Sequence, residues 1–270
     1  MEPVPFNVFI TLMQIFTSGV VMKPEIIVVA AAYGHQQIAE LGGQAALLPL
    51  IQQAGADGVE IRRELFDETT LAHLPALAQA AQVHQLRISY SVPDTLFCED
   101  GKLNPLLDGY FSEARQLNAQ RLKVALGNFT GALYSEKLRG LMTEYGVPLT
   151  VENDQTRFGK QQPMVGFFKA AGEAALPITM TFDMGNWCWT GEDPIQAAGL
   201  LAEHVGYVHV KAAVPQGTSY RAIALDDAGP GWQSLLHRLP AAVPRGIEFP
   251  LEGDDLIAVT RHYVTLLRNV

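Results

Sequence analysis

Residues 178–183 read Ile-Thr-Met-Thr-Phe-Asp. In an extended chain Ile178, Met180 and Phe182 fall on one side and Thr179, Thr181 and Asp183 on the other. Period-two alternation marks a β-strand with two unlike faces. The same pattern recurs along the chain. Val208 and Val210 oppose His209 and Lys211, and Leu149 and Val151 oppose Thr150, Glu152 and Asp154. Ile247 and Phe249 oppose Glu248, Val59 and Ile61 oppose Glu60 and Arg62, and Leu122 and Val124 oppose Lys123. One face is apolar every time, and the other carries an ionisable group near the strand end.

Working outward, strands are read at 25–32, 57–62, 86–91, 121–126, 148–153, 178–183, 205–211 and 246–249. Helical patterns fill the gaps at 36–54, 69–84, 104–119, 132–145, 161–175, 194–203, 231–238 and 254–269. Asn104-Pro105 and Asp193-Pro194 are start signals, with proline at a first helical position. Strands alternating with helices over short linkers mean a parallel sheet. Met22 to Val270 is 249 residues, about 31 for each of eight strand–helix units. The fold class is therefore α/β, a single (β/α)8 TIM barrel over residues 22–270. A doubly wound open sheet is the runner-up, weakened by the lack of a glycine-rich phosphate motif after the first strand.

The chain of 270 residues is 48% apolar and 17% charged, which argues against disorder. A net charge of −9 with no basic run excludes nucleic acid as the main partner. Two cysteines, Cys98 and Cys188, make no disulfide scaffold and suit a cytoplasmic location. Residues 6–22 form an apolar run of 17, short for a membrane span and lacking the preceding positive charge of a secretory signal. The preferred reading is that residues 1–21 are an appendage, or that the reading frame starts at Met22, with no membrane association.

The inward set decides the function. Burying Glu60, Lys123, Glu152, Asp183, His209 and Glu248 without partners would cost several kcal/mol each. Glu152, Asp183, His209 and Glu248 lie on neighbouring strands five to eight, so their ends face a common point. Three carboxylates and an imidazole suit one divalent ion, with Mn(II) preferred and Mg, Co or Zn admissible. Taken alone the four ligands carry −3, which such an ion would largely offset.

At these residues the chain resembles the xylose-isomerase-like barrels, the sugar isomerases and epimerases that include ketose 3-epimerases, hydroxypyruvate isomerases and inosose dehydratases. The motifs are GADGVEIR (55–62), VEND (151–154), FDMGN (182–186), VHVK (208–211), GPGWQSLL (229–236), GIEFP (246–250) and DDLIAVTRHYVTLLR (254–268). The resemblance implies a metal held by Glu152, Asp183, His209 and Glu248, with Glu152 and Glu248 as the catalytic proton carriers. It implies isomerisation or epimerisation of a small sugar, ketose or hydroxy-keto acid through a metal-stabilised enediolate, and allows a homo-oligomer. A free sugar or hydroxy-keto acid is preferred to a sugar phosphate, because no phosphate cradle is present.

Glu60, Arg62, Lys123, Asn186, Trp187, Lys211 and His35 are the expected substrate contacts, with Trp187, Cys188 and Trp189 as an apolar wall for a sugar ring. For Lys211 and Lys123 the competing reading is an ion pair with Glu60 or Asp154. His73, His84, His204, His237 and His262 are expected at the surface. Two positions depart from the family pattern: Asn186 stands where a histidine is frequent, and Ala212 where an aspartate is. The alternatives are a lyase of the inosose-dehydratase kind on the same metal site, and a sugar-binding barrel without turnover. A repair endonuclease barrel is disfavoured by the single inward histidine and the acidic charge.

Overall fold

The expected alternation closes into a ring. The computed structural model describes residues 23–270; the expectations for residues 1–21 lie outside them. The strands are β1 (Ile26–Val29), β2 (Gly58–Arg62), β3 (Arg87–Phe97), β4 (Leu122–Gly127), β5 (Leu149–Glu152), β6 (Thr179–Asp183), β7 (Val205–Val210), β8 (Ala212–Gln216), β9 (Ser219–Ile223) and β10 (Arg245–Ile247). Eight of them form a closed barrel in the order β1-β10-β7-β6-β5-β4-β3-β2, with β1 and β10 paired parallel. β8 and β9 stand apart as an antiparallel hairpin on the exit of β7.

The outward faces make the core with the helices: Val59, Ile61, Val124, Leu149, Val151, Phe182, Val208 and Ile247 are all buried. The C-terminal helix Leu256–Asn269 shows how sequence sets such an element. The Asp255 side chain caps it by accepting from Ala258 N at 2.9 Å. Thr260, Tyr263, Val264 and Leu267, at helical spacing, are its buried face. At Asp193, the carboxylate caps helix Pro194–Leu201 as its start signal implied, accepting from Ile195 N at 2.8 Å.

Several elements differ from the sequence reading, among them the helix expected over 69–84, which divides into Glu68–Leu71 and Leu74–Val83. The helix expected over 36–54 breaks after Leu41, because Gly42 and Gly43 take φ of +95° and +99°, which ends a right-handed helix. The strand expected at 86–91 runs on to Phe97 with a register shift between Ser91 and Thr95. Asp154 leaves the inward row, since β5 ends at Glu152 and the Asp154 carboxylate instead accepts from Thr156 N and Oγ1. The hairpin β8–β9 was not expected at all. No helix among the described residues is long and apolar enough to cross a membrane.

Candidate active site

The barrel lumen is polar above a packed floor. Tyr207 fills the floor, its ring edge-on to His209 with centroids 4.8 Å apart and the Arg121 guanidinium 4.7 Å from its centroid. Gly246 makes room for it: a Cβ there would press into Tyr207 Oη and lie 3.0 Å from both Tyr207 Cζ and His209 Cδ2. Above this layer the inward side chains of β2, β4, β5, β6, β7 and the end of β10 converge.

His209 is the hub. Its Nε2 lies 2.7 Å from Glu60 Oε2, and both side chains are fully buried. Its Nδ1 faces Glu152 Oε1 at 2.8 Å, Glu248 Oε2 at 3.1 Å and Asp183 Oδ2 at 4.0 Å. Glu152 Oε1, His209 Nδ1 and Glu248 Oε2 are buried without an aligned hydrogen-bond partner. Such orphaned groups are costly and rare in a folded protein. With Asp183 these residues offer one ligand atom each, all within 4.8 Å of one another. Three carboxylates and an imidazole nitrogen with no other partner fit a divalent cation. Glu60 supplies what a ligating histidine requires, an acceptor on its other ring nitrogen.

Cations already crowd this centre. Lys123 Nζ is 2.5 Å from Glu152 Oε2 and 3.7 Å from Glu60 Oε1. Arg62 reaches Glu60 Oε1 at 3.3 Å, Glu248 Oε1 at 3.1 Å and, at the rim, Glu64 Oε1 at 2.8 Å. Lys211 Nζ is 2.8 Å from both Asp183 Oδ2 and Glu248 Oε2. With Glu60 and these three cations included, four carboxylates against three cations give the centre a formal charge of −1 with His209 neutral, against −3 for Glu152, Asp183, His209 and Glu248 alone.

Burial would raise Glu60, but His209, Lys123 and Arg62 outweigh it and hold its carboxyl down to about 2. Burial is the largest influence on Asp183 and pushes it up to about 7, with Lys211 opposing and Glu248 and Glu152 adding. Burial favours a neutral His209, yet Glu248, Glu60 and Glu152 push it well above the ordinary histidine value. Burial would raise Glu152 and Glu248 as well, but Lys123 and His209 hold the first, and His209 and Lys211 the second, below the ordinary carboxylate range.

The supporting hydrogen bonds are partly long-range and partly local in sequence. Asn153 exchanges two hydrogen bonds with the Asp183 backbone, accepting from its N at 2.9 Å and donating to its O at 3.0 Å. Asp183 Oδ1 accepts from the N of Gly185 and of Asn186, which leaves Oδ2 facing the centre. The Gln44 amide grips the Arg62 backbone through both its oxygen and its nitrogen.

Glu60, Arg62, Lys123 and Lys211 are thus brought to the centre, Glu60 and Lys123 deep within it. Both lysines pair with carboxylates of the candidate centre; Lys123 also makes the expected pair with Glu60, and Lys211 pairs with neither Glu60 nor Asp154. Asn186 is buried, and its amide donates to Asn153 O at 2.9 Å and accepts from Gln155 at 3.1 Å and Lys211 at 3.3 Å. Trp187 is no wall for a ligand: it is fully buried against Phe182, ring centroids 5.4 Å apart, because a short helix, Asn186–Thr190, turns it into the apolar core outside the lumen. His35 is exposed and lines a separate cavity with Leu65, Phe66 and Asp67, because Gly34 turns the chain into helix His35–Leu41 before it reaches the mouth. His204 and His84 are half-buried, His204 stacked on Phe168, while His73, His237 and His262 are exposed. Asn153, Tyr207 and Gly246 were not singled out from sequence. Alternation assigns Tyr207 and Gly246 to the inward rows of His209 and Glu248, and an asparagine on an otherwise apolar strand face is itself a signal of required hydrogen bonds.

Two cavities open beside the centre. One of about 300 Å³ is lined by Tyr33, Gly34, Lys211, Ala222, Glu248 and Phe249 among others. The other, about 470 Å³, lies between helix Asn186–Thr190 and the hairpin and includes Cys188, Lys211, Val214, Ile223 and Trp232. Trp189 and Tyr220, ring centroids 5.6 Å apart, tie the hairpin to that helix.

The architecture is that of the xylose-isomerase-like TIM barrels, as the sequence resemblance implied. A xylose isomerase domain-containing protein from Salmonella typhimurium LT2 aligns over 92% of this chain and 95% of its own, with a TM-score of 0.62 at 15% identity. A 3-keto-D-glucoside 4-epimerase from E. coli matches over 92% of this chain and all of its own (TM-score 0.59, 15% identity). A D-allulose 3-epimerase from Methylomonas sp., in complex with D-allulose, matches over 92% and 97% (TM-score 0.59, 14% identity). At these identities the likeness is one of fold. No family model and no curated protein matches the sequence.

Proposed function

We propose that the protein is a divalent-metal-dependent isomerase or epimerase of a small sugar, ketose or hydroxy-keto acid. The observation that carries this is the convergence of Glu152 Oε1, His209 Nδ1 and Glu248 Oε2, buried and without an aligned hydrogen bond, beside Asp183. The sugar epimerases among the structures of like fold support the substrate class.

Glu152, Asp183, His209 and Glu248 would hold the ion. When bound, it supplies positive charge against the negative charge that grows on substrate oxygens as a carbon-bound proton leaves. The remaining chemistry belongs to the chain. Glu152 and Glu248 stand on the barrel rim with two strands, β6 and β7, between them, so a substrate seated between them meets a carboxylate on each side. One takes the proton from the carbon next to the carbonyl. The other delivers a proton to the opposite face in an epimerisation, or the first returns it to the adjacent carbon in an isomerisation. Lys123, on the outer oxygen of Glu152, and Arg62, on the outer oxygen of Glu248, keep both bases oriented and ionised.

The test is elemental analysis of the purified protein and of a Glu152→Gln, His209→Ala double variant, followed by proton exchange of ketoses and hydroxypyruvate in heavy water. About one divalent ion per chain, lost in the variant, with exchange that Glu248→Gln reduces by ~10²-fold or more, is expected. A protein that takes up no ion even after Mn(II) loading overturns the proposal.

A further inference from the structure

The three basic side chains of the centre fall into two kinds. Lys123 binds the outer oxygen of Glu152, and Arg62 the outer oxygen of Glu248. Each leaves the inward oxygen of its partner, Glu152 Oε1 or Glu248 Oε2, facing His209. Lys211 does the reverse. Its ammonium lies 2.8 Å from Glu248 Oε2 and 2.8 Å from Asp183 Oδ2, the inward oxygens themselves. Asp183 has no other to offer, because its Oδ1 is taken by two backbone N–H groups.

This position is built. Gly185 is what lets the lysine lie there: a Cβ at residue 185 would come 2.7 Å from Lys211 Cδ and 2.8 Å from Cγ. The backbone of Gly185 is right-handed helical, so the demand for glycine comes from the lysine and not from its own torsions. Asn186 adds a third oxygen, 3.3 Å from the ammonium. A divalent cation bonded to the same carboxylate oxygens at ~2.1 Å would sit within ~5 Å of that ammonium, where two like charges out of water repel strongly.

We propose that Lys211 is an exchangeable counter-ion: its ammonium and the divalent cation compete for Asp183 Oδ2 and Glu248 Oε2. Without the ion, Lys211 holds the two carboxylates together. With it, Lys211 is released from them, and both cavities beside the centre are lined by this residue. The inference rests on the metal reading above and adds a residue to it.

The experiment is a titration of chelator-stripped protein with Mn²⁺, by calorimetry or a competing fluorescent chelator. It compares the wild type with Lys211→Met and with Lys123→Met, which removes the same charge from an outer oxygen. Competition for two oxygens makes Lys211→Met bind Mn²⁺ about tenfold tighter or more, the scale of one charge-assisted hydrogen bond. That gain must exceed any gain in Lys123→Met. Without metal, Lys211→Met melts lower than the wild type, and Mn²⁺ raises its melting temperature by more. A Lys211→Met protein that folds only with Mn²⁺ is the extreme form of the same result. Gly185→Ala keeps the lysine but displaces its stem, and must tighten Mn²⁺ binding in the same direction. Equal tightening in both lysine variants reduces the effect to bulk charge and overturns the proposal, as does weaker binding in Lys211→Met or no change in a folded Gly185→Ala. Binding by the wild type and not by Glu152→Gln, His209→Ala keeps the metal reading standing in those cases. No binding by any of these proteins removes both.

Discussion

Replacing Gly246 with alanine adds one carbon to the floor of the barrel. That carbon would press into Tyr207 Oη and lie 3.0 Å from Tyr207 Cζ and from His209 Cδ2. Carbon atoms in contact sit at about 3.5–4.0 Å, so the overlap is ~0.5–1 Å against two rings at once. Neither ring has a cheap way out. Tyr207 is fully buried beneath Arg121, and His209 is fixed through Nε2 to Glu60. Overpacking of a close-packed interior costs ~1–3 kcal/mol, and two rigid partners place this site in the upper half of that range. A displaced His209 also misdirects Nδ1, so Mn²⁺ affinity falls by ~10-fold or more. Denaturant unfolding of the chelated protein, with an unchanged slope, reads the first effect, and a Mn²⁺ titration reads the second. Tyr207→Phe removes the worst contact. The hydroxyl has no aligned hydrogen-bond partner, so Tyr207→Phe alone costs under ~1 kcal/mol, and added to Gly246→Ala it restores part of the loss. A Gly246→Ala protein within ~0.5 kcal/mol of wild type, or a double variant no better than Gly246→Ala, refutes the packing argument.

Glu60→Gln keeps the shape of the side chain but removes the charge that faces His209, Lys123 and Arg62; Mn²⁺ affinity falls ~10–100-fold, and an unchanged affinity in calorimetry removes Glu60 from the support of the centre. Asn153→Ala leaves the buried N–H and C=O of Asp183 without the partners Asn153 supplies; at ~1–3 kcal/mol for each group, chemical denaturation should show a loss of ~2–4 kcal/mol, and a loss below ~1 kcal/mol means that other groups or water replace the amide.

The barrel was legible because its strands have two faces with different tasks. Val59, Val151, Phe182 and Val208 had to meet helices, so they were apolar. Glu60, Glu152, Asp183 and His209 had to meet one another, so they were not. Reading the period-two pattern therefore gave strand positions and inward residues together. The same rule failed where the chain left the barrel. Ala212–Gln216 and Ser219–Ile223 carry a proline and no clean apolar face, since the hairpin stands over the mouth and packs on one side only through contacts such as Trp189–Tyr220. Gly217, at φ +60° between two short runs, was the available signal for its turn. His35 and Trp187 failed for a related reason: both follow a strand end, where Gly34 and the short helix Asn186–Thr190 redirect the chain and alternation no longer fixes direction.

Pairing is the part that alternation could not supply. It put Lys123 and Lys211 in one inward class, and nothing in their strands separates them. The separation comes from height in the barrel. Lys123 is level with Thr150, below Glu152 on β5, and meets that glutamate from beneath on its outer oxygen. Lys211 lies one inward step beyond His209, above the hub, and folds back over Gly185 onto the inward oxygens. A cation beneath the carboxylates braces them, and one above them covers the face from which an ion or a substrate must arrive. In VHVK (208–211) the histidine and the lysine are two residues apart and point the same way. Their spacing thus places an exchangeable cation one step nearer the mouth than the imidazole beneath it.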